Sequence, residues 1–137
     1  MLTVPVEIKR SEIHGQGIFA KTDIHKEQVI WQFTPGLDQR ISLFAVKHSD
    51  SRIANYIMER GYINPKQPDQ VVVTIDAAQW WNFPRRDEEP NCVLGGILDG
   101  EHLIIAARDI AAGEELTITP ESDYDYERKM AEHESAS

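Results

Sequence analysis

The chain has 137 residues, 41% of them hydrophobic and 27% charged, a composition that fits one globular domain with a sizeable core. Its formal charge of −9 disfavours direct binding to a phosphate backbone, and no apolar run approaches the roughly 20 residues of a membrane-crossing helix. Cys92 is the single cysteine and the five histidines are scattered, so neither an internal disulfide nor a structural zinc site is expected. Met1 to Arg10 has no apolar signal-peptide core, which makes a cytoplasmic protein the expectation.

Along the chain, Val4 to Ile8 reads as a short strand, and Ile18 to Ala20 resumes apolar character after a glycine turn. Gln28 to Phe33 is rich in β-branched and aromatic residues and reads as another strand, closed by the turn signal Thr34-Pro35-Gly36. Between Ser42 and Arg60 the period changes. Leu43, Phe44 and Val46, then Ile53, Ile57 and Met58, suggest one or two short helices, with Ser49, Asp50 or Ser51 as cap and Gly61 as stop. Val71 to Ile75 and His102 to Ala107 read as strands, the second preceded by an Asp99-Gly100 turn suited to a hairpin. Leu116 to Thr119 is short and β-prone. The residues from Glu127 onward are polar and read as a frayed helix or a tail.

Three segments stand out. In His14-Gly15-Gln16-Gly17-Ile18-Phe19-Ala20 two glycines flank one residue, which permits positive φ and a close approach of backbone to a ligand. A dinucleotide fingerprint would need a third glycine and a following helix, and neither is present. The second segment runs from Asn82 to Cys92, preceded by Trp80 and Trp81, two aromatics suited either to stacking or to core filling. The third is Ala107-Arg108-Asp109-Ile110, followed by Gly113-Glu114-Glu115-Leu116-Thr117. Acid gathers toward the C-terminal third, at Asp87, Glu88 and Glu89 and again from Glu114 to Glu127. Such runs usually solvate surface loops, and they also create a field that attracts lysine-rich peptides.

Taken together and in this order, the three segments resemble the SET domain, the fold of a large class of protein-lysine methyltransferases. The resemblance covers roughly residues 5 to 126. It implies a mostly β domain with short helices, built as a β-clip of several small sheets with a knot-like C-terminal crossing. The expected division is a domain over 1–126 and a polar tail over 127–137. The resemblance further implies S-adenosylmethionine as cofactor, held through main-chain groups of Gly15, Gln16 and Gly17 and by the segment at Asn82 and Phe83. The implied partner is a lysine-containing, basic protein or peptide, with no direct nucleic acid or membrane contact, and the chain is expected as a monomer or weak homodimer.

The pattern departs from the family at three places. Phe83 stands where the family has His, Pro84 where it has Ser, and Pro120 where it has the catalytic Tyr. Pro84 lacks a donor N–H and Pro120 lacks both hydroxyl and N–H. Tyr124 fits a further aromatic that walls the lysine channel, and Tyr124 or Tyr126 is the candidate to take the catalytic place through a slipped loop. Two readings therefore stand side by side: a lysine methyltransferase, and a degenerate SET domain that binds peptide, partner or cofactor without transferring methyl.

Overall fold

The computed structural model describes residues 1–118. Strand β1 (Val6–Arg10) pairs antiparallel with β2 (Gln16–Ala20), from Val6 opposite Ala20 to Arg10 opposite Gln16. The expected strand at Val4 to Ile8 starts later because Val4 turns into the core. Next come β3 (Val29–Trp31) and β4 (Gln39–Ser42), helices α1 (Leu43–Lys47) and α2 (Ser51–Arg60), and β5 (Gln70–Val73). A 3-10 turn at Ala77–Trp80 precedes β6 (Cys92–Leu98) and β7 (Glu101–Ala106). The strands form three small sheets: β1 with β2, β4 with β5, and a three-stranded sheet in the order β3-β7-β6, all antiparallel. This is the mostly β, short-helix architecture that the sequence implies.

Local chemistry explains the elements. Of the three candidate caps, Asp50 is used: its side chain accepts from the Arg52 amide at 2.9 Å, and the Gly61 amide closes α2 on the Ile57 carbonyl at 2.7 Å. At the β6–β7 hairpin, Leu98 lies opposite Glu101. Asp99 and Gly100 have φ of 54° and 83°, the left-handed pair that a two-residue loop requires. Strand β4 was not expected, since Gln39-Arg40-Ile41-Ser42 holds one apolar residue and is ordered by pairing with β5. In β6 the register shifts between Leu94 and Ile97 around two glycines, which breaks any period-2 pattern.

The main core gathers Ile18, Ile24, Ile30, Trp31, Cys92 and Ile110 with neighbours from all three sheets. Val46, Ile63 and Val71 make a smaller cluster under α1 and α2. Around the main core the chain crosses itself. Thr117 bridges to Asn82 and Ile118 bridges to Cys92, both in parallel sense, so the C-terminal segment lies between the two arms of the loop 82–92. Buried Asn91 fastens it: Nδ2 donates to the Glu115 carbonyl at 2.7 Å, and Oδ1 accepts from the Thr117 amide at 2.8 Å. The Cys92 amide then donates to the Thr117 carbonyl at 2.9 Å.

Removing the Asn91 amide leaves one buried donor and one acceptor without partners, so Asn91→Ala should lower stability by about 3 kcal/mol, read from urea unfolding. An unchanged midpoint would show that the crossing does not depend on it. Cys92 is fully buried beside this crossing, and burial pushes its thiol from 9.0 up to about 12. The folded state therefore keeps a proton that the unfolded chain releases above pH 9, and stability falls as pH rises from there toward 12. Urea midpoints should decline more steeply over this alkaline range in the wild type than in Cys92→Ala.

Candidate active site

The glycine turn, the Asn82 segment and the C-terminal segment meet at one carboxylate. Glu115 bridges to Phe19 on β2, and its side chain points at the glycine turn. Ser11, buried at the start of that turn, donates to Glu115 Oε1 at 2.7 Å, and its hydroxyl oxygen accepts from the Ile13 amide at 2.9 Å. Asn82 is 3% exposed and sends Nδ2 to the Glu115 carboxylate at 2.8 Å, to the Gln16 carbonyl at 3.0 Å and to the His14 carbonyl at 3.1 Å. All three neighbours are pure acceptors, which settles which end of the amide faces them.

The two glycines serve different ends. Gly15 has φ of +47° and open space where a Cβ would point. Gly17 is needed for close approach: a Cβ there would sit 2.3 Å from Glu115 Oε2 and 3.2 Å from Asn82 Nδ2. A side chain at position 17 would thus separate the carboxylate from the amide.

Beside this junction lies a cavity of about 440 Å³, within the range of small-molecule sites. Of the residues that the sequence proposed, Gly15, Gln16, Asn82 and Phe83 line it together; Gly17 is not in its lining and lies instead against Glu115 and Asn82. His14, the first residue of the glycine segment, lines it too, as do both Trp80 and Trp81. The two tryptophans are half-buried and pack on the main core, which is the core-filling role, while part of each ring borders the cavity. Tyr124 and Tyr126, Pro120 and the tail over 127–137 lie outside the described residues.

The opposite wall holds residues that the sequence did not single out. Tyr62 follows the α2 stop, lines the cavity and donates its hydroxyl to Glu101 Oε1 at 2.7 Å. Glu101 is 1% exposed and has every lone-pair direction engaged. Asn64 donates to Oε1 at 3.1 Å and Arg40 pairs with Oε2 at 2.9 Å. Burial first, and then the hydrogen bond that the phenol donates to Glu101 and the charge of that carboxylate, push the Tyr62 phenol far above its ordinary value. It stays protonated, with its proton committed to the carboxylate. The Trp31 ring meets Tyr62 edge-on, centroids 6.2 Å apart at 81°. The only sequence signal for Glu101 was an acid at the first position of an apolar strand, which reads as part of a solvated turn. Arg60 also lines the cavity, its guanidinium 4.2 Å from the Tyr56 ring centre and 4.5 Å from that of Trp80.

A family model described as the SET domain matches residues 15–119. A search of curated proteins returns no match. Among solved structures, that of a candidate histone methyltransferase of Plasmodium falciparum superposes with a TM-score of 0.55 at 16% identity, covering 85% of this chain and 93% of that one. At that identity the likeness is one of fold.

The two glycines should respond differently to the same substitution. Gly17→Ala drives a methyl into the Glu115–Asn82 contact and should cost about 3 kcal/mol, whereas Gly15→Ala meets only the left-handed backbone penalty of about 1 kcal/mol. Thermal or urea unfolding of both variants decides it. Equal losses would mean that the Asn82–Glu115 approach is not what excludes a side chain at position 17.

Proposed function

Because this chain belongs to the SET-domain family, we propose that it transfers a methyl group from S-adenosylmethionine to the ε-amine of a lysine in a protein or peptide. The observation that carries this reading is the single cavity in which the Gly15–Gln16 turn and the Asn82–Phe83 segment come together. The residues present fit such a cofactor. The turn exposes main-chain groups beside open space at Gly15, and Trp80, Trp81 and Phe83 offer aromatic faces that favour both a purine ring and a cationic sulfur.

When bound, the cofactor supplies a methyl on a positive sulfur, so that the transfer forms an N–C bond, breaks an S–C bond and releases the amine's proton to solvent. The protein's task is to present a neutral amine in line. A free lysine has a pKa near ~10.4, and desolvation in an apolar wall lowers it. Trp31, Val72, Leu94 and Ile104 form such a wall around the cavity. Tyr62 contributes a phenol oxygen whose O–H is engaged in a hydrogen bond to Glu101, so it is available to the amine only as an acceptor. No acid–base pair is required, because positioning accounts for most of the acceleration in a displacement of this kind. The acidic surface of a chain with net charge −9 favours a basic, lysine-rich substrate, met by a monomer or weak homodimer in the cytoplasm.

A second reading is favoured by one observation. The Asn82 amide nitrogen is fully used in holding the glycine turn and Glu115, so it has no donor left for a ligand. With Phe83, Pro84 and Pro120 in place of the family's polar residues, the domain would then bind cofactor or peptide without transferring methyl.

Calorimetry with S-adenosylmethionine, followed by incubation with methyl-labelled cofactor and a lysine-rich peptide, separates the readings. The methyltransferase reading predicts binding and label that disappears when the peptide's lysines are replaced by arginine. Binding without label supports the second reading, the more so if Pro120→Tyr then brings label. No binding at millimolar cofactor overturns both as far as the cofactor is concerned.

A further inference from the structure

One residue of the cavity wall has the same side chain as the substrate proposed for it. Lys66 lines the cavity, and among the described residues it is the one lysine that does so. Lys9, by contrast, is held over the Phe19 ring, 4.5 Å from its centre. Local sequence fixes the backbone at Lys66. Asn64-Pro65-Lys66-Gln67 forms a β-turn with proline at its second position, closed by the Gln67 amide, which donates to the Asn64 carbonyl at 2.9 Å. Asn64 Oδ1 accepts from the Lys66 amide at 3.0 Å and so fastens the turn a second time. Buried Asn64 itself donates to Glu101 Oε1 at 3.1 Å, the oxygen that also accepts the Tyr62 hydroxyl at 2.7 Å. One buried carboxylate therefore ties the Lys66 turn to the phenol in the cavity wall.

Beyond that anchored backbone the side chain is untied. Lys66 is exposed, and its ammonium makes no ion pair or cation–π contact among the described residues. Its four-carbon stem can follow the apolar wall and carry the nitrogen into the cavity. There the amine meets the aromatic faces of Trp31 and Trp80 and the accepting oxygen of Tyr62.

We infer that Lys66 is a methylation site of this chain, modified in cis by its own cavity. The inference rests on the methyltransferase reading above and adds to it a named substrate residue. A bond forms between Lys66 Nζ and the methyl carbon, the S–C bond breaks with its electron pair left on sulfur, and the ammonium's proton goes to solvent. A lysine already set in the wall needs no encounter with a second molecule, which raises its effective concentration at the methyl group above that of a free peptide.

The test incubates the full chain with methyl-labelled S-adenosylmethionine, alone and with a lysine-rich peptide. Label on the chain and on the peptide is counted separately and mapped by mass spectrometry. The wild-type chain should carry label at Lys66 and none at Lys9, Lys21, Lys26 or Lys47. At fixed cofactor its first-order rate should stay constant over a roughly tenfold dilution of the protein, since a reaction in cis does not depend on protein concentration. Lys66→Arg keeps the charge at this exposed position and should lower the label on the chain by about tenfold or more. Label at Lys66 whose rate falls in proportion to dilution, or label confined to other lysines, overturns the inference. So does a labelled peptide beside an unlabelled chain, an outcome that leaves the methyltransferase reading intact. No label on either chain or peptide overturns that reading and the inference with it.

Discussion

Everything at the site hangs on the approach of the Glu115 carboxylate to the Asn82 amide across the bare face of Gly17. The three residues come from segments far apart in the chain, and each needs the other two. Without a hydrogen atom in place of a side chain at 17, the carboxylate has no room. Without Asn82, the carboxylate and two turn carbonyls lose their shared donor. Without Glu115, Ser11 and Asn82 both face an empty position in a partly buried spot, where an unmatched polar group costs about 1–3 kcal/mol. The result is a glycine turn held rigidly against the crossing of the chain, with a cavity beside it.

That arrangement divides labour among residues that sequence motifs treat alike. Gly15 opens space toward the cavity, whereas Gly17 closes onto Glu115. Asn82 lines the cavity yet has its nitrogen turned to the scaffold, so what it offers a ligand is its remaining oxygen. On the other wall, Glu101 keeps a carboxylate almost wholly out of water, which is tolerable only because Arg40, Tyr62 and Asn64 all bind it. Two carboxylates are thus committed to the protein: Glu101 in the cavity wall and Glu115 beside the glycine turn.

Much of this is legible in the chain alone. The Asp99-Gly100 hairpin, the helix pair with its Gly61 stop and a cap among Ser49, Asp50 and Ser51, and the three ordered motifs follow from local chemistry that a linear sequence displays directly. The cavity residues Gly15, Gln16, Asn82 and Phe83 followed from family resemblance, and the structure brings them together. Strands β4 and β6 were hidden because neither carries a clean alternation: one is polar and is ordered by its partner, the other is interrupted by two glycines. The role of Glu101 was hidden for a deeper reason. A glutamate after Asp-Gly looks solvated, and only Arg40, Tyr62 and Asn64, 61, 39 and 37 residues away, make its burial possible. Gly17 illustrates the same limit, since the group that excludes its side chain stands at the other end of the domain.

The coupling between Asn82 and Glu115 is the most direct measure of whether this contact organises the site. Urea unfolding of Asn82→Ala, Glu115→Ala and the double variant forms a thermodynamic cycle. A contact that ties the turn to the crossing predicts a double variant less destabilised than the sum of the single ones, by about 1–2 kcal/mol. Additivity within about 0.5 kcal/mol would contradict it and reduce the carboxylate, the amide and the glycine to independent neighbours.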